Sequence, residues 1–338
     1  MNLSESLLVE VFRGSMVESV HHIDAVVVTA DGDIVAAWGD VEYEVYARSS
    51  AKPLQALPLI ETGAADHFGF TDTEIALACA SHQGQPIHVN GAAAIMERIG
   101  LGEDDFECGA HWPYDLKTAG DLARAGEKPT RFHNNCSGKH SGFLTTAVHM
   151  GEPTAGYIQP DHAVQQRITE AMSEMTGWDL STTARGVDGC GIPVIGMPLA
   201  ALARGMARMA DPRGMGAVRE NAAQRIVAAM SANPEMVGGR GKVDTAVMAA
   251  LDSVALKGGA EGVHIAILPE KGMGVAMKTR DGSGRASDAA ILWVLKYLGV
   301  IGERALEELA DHLEPPIKNT LGNTVGHIAT RESGGGGR

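Results

Sequence analysis

Strand-like runs cluster at the two ends of this 338-residue chain, and helical periodicity fills the span between them. Segments 7–12, 25–29 and 34–37 are short apolar runs rich in β-branched residues, and Asp31-Gly32-Asp33 between the last two is a hairpin turn. The pattern returns at 263–268 and 275–278, separated by Lys271-Gly272 and followed by a helix over 286–298. Between Lys52 and about Lys257, apolar residues recur three and four apart over 74–80, 92–99, 116–125, 143–149, 163–175, 195–209, 217–230 and 243–256. Because strands and helices do not alternate, the pattern excludes a doubly wound sheet. It predicts an α+β protein whose antiparallel sheet comes from both chain ends, about 1–48 and 260–330, packed with a helical insertion over about 49–258. A single domain is expected over 1–330, with a disordered glycine-rich tail over 331–338.

Charge narrows the partners. With 28 basic against 42 acidic residues, the net charge of −14 argues against nucleic acid and anionic membrane surfaces and leaves small molecules. The longest apolar stretch, 190–203, is interrupted by Pro193 and Pro198 and is too short to span a bilayer. The N-terminus shows neither the basic start nor the apolar core of a signal peptide, so the expected location is the cytoplasm. Cys79, Cys108, Cys136 and Cys190 are too few and too scattered for a disulfide framework, and reduced thiols are expected.

Ser49-Ser50-Ala51-Lys52 is the first constellation with chemistry in it. Ser49 is the only serine followed three positions later by a lysine. Where Ser49 opens a helix, the two side chains share a face, and the lysine amine can accept the proton that a free hydroxyl does not release near neutral pH. The S-x-x-K spacing is a signature of penicillin-recognising acyl enzymes, in which a second serine and a K-[TS]-G strand converge on the nucleophile; Ser81 and Lys257-Gly258-Gly259 are the candidates for those roles. His21 and His22 flank a strand and read as structural or surface residues.

Two further segments place reactive groups in tight turns. Asn134-Asn135-Cys136-Ser137-Gly138-Lys139-His140 runs into an apolar helix, so backbone N–H groups and the positive helix end lie beside a thiol, an amine and an imidazole. It contains Ser-Gly-Lys but lacks the upstream glycine of a phosphate loop, which excludes a nucleotide reading. Asp188-Gly189-Cys190-Gly191 is a thiol beside a carboxylate. Thiols from separate loops can meet at zinc, with the third ligand open among His140, Asp188 and a deprotonated Lys139.

Taken together, Arg48-Ser49-Ser50-Ala51-Lys52-Pro53, 134–140, 188–193, 236–245 and Asn319-Thr320-Leu321-Gly322 are similar to the motifs of the rhizobial-type, or class 3, L-asparaginases. The resemblance covers nearly the whole chain and implies a fold related to serine β-lactamases and serine glutaminases. By position it implies Ser49 as nucleophile, Lys52 as its base, Ser81 as a relay hydroxyl, Lys257 as a second lysine, and a zinc ion held by Cys136, Lys139 and Cys190. The implied activity is hydrolysis of L-asparagine to aspartate and ammonia, in a homodimer.

Free asparagine is a zwitterion, and Arg48, His140 and Asp188 are the groups of suitable sign to bind it, with Asn134 in the same loop as His140 as a further substrate-binding candidate. A serine amidase or glutaminase would share Ser49 and Lys52 without needing the thiol pair. A non-catalytic zinc- or ligand-binding protein would keep the thiols and be indifferent to Ser49.

Overall fold

The computed structural model describes residues 6–333. Among these, eight strands form one antiparallel sheet in the order β10-β11-β1-β2-β9-β8-β7, with β3 paired to β2 off that path. The strands are β1 Leu7–Arg13, β2 Met16–Thr29, β3 Ile34–Trp38, β7 Ala255–Gly259, β8 Val263–Leu268, β9 Met273–Thr279, β10 Pro316–Lys318 and β11 Thr324–Glu332. β1 pairs with β11 from Leu7↔Glu332 to Arg13↔Gly326, and β2 pairs with β9, so the two chain ends are stitched into one layer as the strand distribution predicts. The turn at Asp31-Gly32-Asp33 closes the β2–β3 hairpin, with the Gly32 N–H on the Thr29 carbonyl.

Helices cover both faces of the sheet. Five enter the description of the site: α1 Lys52–Gln55, α2 Ser137–Met150, α3 Leu199–Ala210, α4 Val243–Ala250 and α5 Gly284–Tyr297. α3 packs on β9 and β2, and α5 packs on β8, β9 and β11. The approach of α3 is close enough that a Cβ on Gly274 would lie 2.2 Å from the Ala203 carbonyl oxygen, so only glycine fits that point of β9. At the sheet's centre Asp24 is fully buried, but Arg280 donates to it at 2.7 Å and the Asp40 N–H at 2.9 Å, which satisfies the charge. No helix of the described residues is long and apolar enough to cross a membrane.

Three expectations need correction. The segment 195–209, which has helical spacing, is two elements: β6 Pro193–Pro198 pairs with β4 Glu44–Tyr46 and β5 Arg185–Val187 in a small second sheet, and the helix begins only at Leu199. All six residues of β6 are buried, and a strand buried on both faces shows no alternation to set it apart from a helix. The segment 243–256 likewise ends its helix at Ala250, and its last residues belong to β7, so the sheet resumes at Ala255 rather than at 260 and Lys257 stands on a strand. The tail begins later than 331: Arg331 and Glu332 lie in β11, and Arg331 grips Glu10 of β1 at 2.6 Å. Residues 334–338 of that tail lie outside the described residues.

Candidate active site

β7 is an edge strand of the large sheet, and its end packs against a 3₁₀ turn, Arg48–Ala51, that leads into α1. Three residues per turn bring Ser49 and Lys52 to the same side, and Pro53 at the start of α1 costs no hydrogen bond there. Arg48 enters the turn at φ 50°, a left-handed conformation rarely adopted by residues with a Cβ, and its guanidinium is held by both oxygens of Asp188 at 3.3 Å. A Cβ on Gly259 would stand 3.1 Å from Ser50 N, 3.2 Å from the Ala47 carbonyl oxygen and 3.4 Å from Ser49 N. β7 can lie this close to the nucleophile turn only because it ends in glycine.

A cavity of about 430 Å³ opens over this junction. Arg48, Ser49, Ser81, Asn134, Cys136, Asp188, Cys190 and Lys257 line it, joined by Gln83, His111, Tyr114, Asp244 and Asp288. Lys52 is buried beneath the floor rather than in the wall. Its amine donates to the Ala80 carbonyl, to Ser81 Oγ at 2.8 Å and to Cys136 Sγ at 3.2 Å. Ser49 is not among its partners, which departs from the direct Ser49–Lys52 contact that the spacing suggests. Ser81 sits in an extended segment fixed by backbone bonds to Val237 and, through His82, to Asn135. Its hydroxyl therefore stands between the cavity and the buried amine.

The electrostatics of the amines differ by neighbour. Burial lowers the Lys52 pKa, opposed by the Cys136 sulfur and reinforced by the charge of Lys139. Burial also lowers Lys257, to about 8, against the pull of Asp244 and with help from Lys52. Lys139 goes the other way: burial works against its charge, yet the Cys136 and Cys190 sulfurs outweigh it and raise the pKa.

Cys136, Lys139 and Cys190 converge as the resemblance implies. Lys139 Nζ lies 3.0 Å from Cys190 Sγ, and Cys190 together with the Lys139 and Lys52 amines holds the Cys136 thiol well below its ordinary range. The turn that carries Cys136 is braced by Asn134, whose side chain donates to the Gly109 carbonyl at 2.6 Å and accepts from Cys136 N at 2.9 Å. Among the described residues no group of three or more His, Cys, Asp or Glu side chains is arranged to hold a metal ion, so the thiol–amine–thiol set is the arrangement to weigh for a metal.

His140 is not among the residues that line the cavity. It is fully buried one turn into α2, its Nδ1 bonded to Tyr157 Oη at 2.7 Å, and burial with Lys139 and Lys52 close by holds it neutral. It faces the core rather than the cavity, because Lys139 beside it takes the face toward Cys190. Arg48 and Asp188 do line the cavity, paired with each other. Sequence reasoning assigned no role to Asp244, His264 or Asp288. The available signal was His264 itself, the one polar side chain in the otherwise apolar run of β8.

The family that the sequence matches is one of amidohydrolases. The chain belongs to the L-asparaginase II family, whose profile matches residues 9–330. No curated protein sequence matches the chain significantly. Among solved structures it is similar to Mglu in its native form in 4.3 M NaCl, at 15% identity and a TM-score of 0.42 over 86% of this chain and 62% of that one. It is also similar to a β-lactamase from Mycobacterium bovis, at 16% identity and a TM-score of 0.32 over 86% of this chain and 95% of that one. The chain thus spans less than two thirds of the length of Mglu.

Proposed function

We propose that the chain hydrolyses the side-chain amide of L-asparagine through an acyl enzyme on Ser49. The observation that carries this reading is the meeting of Ser49, Ser81 and Lys257 at one cavity with Lys52 buried behind Ser81 and bonded to its hydroxyl, both lysines having lowered pKa values. A serine hydroxyl needs a neutral amine to take its proton, and burial supplies one. In the reaction Ser49 Oγ adds to the amide carbonyl while its proton passes toward Lys52, with Ser81 as the hydroxyl already bound to that amine. The C–N bond breaks as the nitrogen takes a proton and leaves as ammonia. Water then adds to the ester, returns a proton to Ser49 Oγ, and frees aspartate. Backbone N–H groups beside Ser49 would stabilise the developing oxyanion, and the Arg48–Asp188 pair offers one charge of each sign to the zwitterion.

Zinc fits the donor set of Cys136, Lys139 and Cys190: two sulfurs and a nitrogen converge, and the lysine must release its proton first. When bound, the ion would supply a positive charge on the cavity wall near Asp188 and orient a substrate carboxylate.

Purified protein assayed for ammonia release from asparagine and glutamine, and for the colour change of a chromogenic β-lactam, tests the reading. Asparagine should be the preferred substrate, and Ser49→Ala should be inactive with all three. Turnover of the β-lactam alone, or full asparagine turnover by folded Ser49→Ala, would overturn it.

A further inference from the structure

Behind Lys257 lies a run of side chains from four elements. Lys257 on β7 stands 4.0 Å from an oxygen of Asp244 on α4. The same oxygen accepts from the Gly258 N–H at 2.9 Å, and the other is bonded to His264 Nε2 on β8 at 2.7 Å. His264 is 1% exposed; its Nδ1 has no hydrogen-bond partner and lies 3.8 Å from Asp288 on α5, whose carboxylate borders the cavity. Both oxygens of Asp244 are thus engaged before Lys257 is counted. Few side chains at a cavity wall are held from so many sides.

We propose that Asp244, clamped by His264, is a positioning residue that holds the Lys257 amine against the reacting end of the cavity. The lysine side chain has four rotatable bonds, and its amine donates to the Gly258 carbonyl at 2.6 Å. Asp244 steadies that contact from two sides: it takes the Gly258 N–H, fixing the residue whose carbonyl binds the amine, and it sets an opposite charge 4.0 Å from Lys257 Nζ. His264 in turn donates Nε2–H to Asp244, and Asp288 faces its free nitrogen from the solvent side. Burial by itself disfavours the charge on Asp244, but His264, Lys257 and the Gly258 N–H together outweigh that and keep the carboxylate ionised. The proposal rests on the reading of Ser49, Lys52 and Lys257 as the reacting groups.

The test compares Asp244→Asn, His264→Gln and His264→Leu with wild type and Ser49→Ala in asparagine kinetics, each normalised to the folded fraction measured by circular dichroism. Asp244→Asn and His264→Leu should each lower kcat by about a hundredfold, the cost of a mispositioned group, with KM within about twofold. His264→Gln should recover most of the rate, since its amide N–H can still donate to Asp244. Should Asp244→Asn fail to fold, the His264 pair still decides the matter. Wild-type kcat in folded Asp244→Asn, equal rates for His264→Leu and His264→Gln, or a loss confined to KM would overturn the proposal while an inactive Ser49→Ala leaves the Ser–Lys reading standing. An active Ser49→Ala would overturn both.

Discussion

Lys52 Nζ lies 2.8 Å from the hydroxyl of Ser81, a residue 29 positions away, while Ser49 on the preceding turn is not among its hydrogen-bond partners. In the proposed mechanism Lys52 is therefore reached from the cavity through Ser81. Removing that hydroxyl should leave Lys52 buried, still bonded to the Ala80 carbonyl and Cys136, but disconnected from Ser49. Ser81→Ala is expected to lower kcat for asparagine by roughly a hundredfold to ten-thousandfold, the range of general-base contributions. The double variant Ser81→Ala with Lys52→Ala should be little worse than Lys52→Ala, because the two act as a unit. Steady-state kinetics on folded proteins decides it, and additive losses would show that Ser81 does something else.

A second expectation concerns pH. Lys52 must be neutral to take a proton, so activity should rise along an acid limb and favour the alkaline side of neutrality. Below about pH 8 Lys257 carries its charge, and two like charges in one buried cavity disfavour each other. Lys257→Met removes that repulsion, which raises the Lys52 pKa and moves the limb to higher pH. A profile of kcat/KM against pH that stays in place, or one that peaks in acid, contradicts the assignment of base and second lysine.

Much of this arrangement was legible before folding, and the parts that were not share a physical reason. The sheet built from both ends followed from β-branched runs at 25–29 and 263–268, whose period and composition are local properties. Ser49 and Lys52 were legible because a single turn relates them. β6 and β7 were not, since residues buried on both faces carry no alternation and their apolar spacing mimics a helix. The burial of His140 was not legible for a related reason: it adjoins Lys139 in sequence, but successive helix residues point about 100° apart, which turns the imidazole toward Tyr157. Asp244 and His264, 20 positions apart, could not be paired without the register that sets His264 opposite Gly258.

The Arg48–Asp188 pair leads to a prediction about substrate binding. Its two contacts at 3.3 Å form a fork that only a guanidinium can make, and both residues border the cavity. Arg48→Lys keeps the charge but loses the fork and its grip on the strained turn. KM for asparagine should rise about tenfold or more, with a smaller fall in kcat, as expected when a bidentate charged contact worth about 1.5–3 kcal/mol is lost. Unchanged KM in Arg48→Lys would remove the pair from substrate recognition.

The thiols support the last prediction. Lys139 donates to Cys190 at 3.0 Å and Lys52 to Cys136 at 3.2 Å, so both thiols lie against protonated amines or carry protons of their own. A zinc ion would have to displace those protons, which makes its affinity rise with pH. Elemental analysis of protein purified without chelator should find about one zinc per chain, and Cys136→Ser or Cys190→Ser should abolish it, since a hydroxyl is a far poorer ligand for this ion than a thiolate. Chelation should raise KM more than it lowers kcat, because the ion in this reading organises the substrate while Ser49 remains the nucleophile. The two cysteine variants will also differ from each other: Cys136 accepts from Lys52 at 3.2 Å, so its loss reaches the base directly and should lower kcat as well. Equal effects from both variants, or a metal-free wild type with unchanged KM, would leave the cluster as packing and the lysine between the thiols as a structural ion pair.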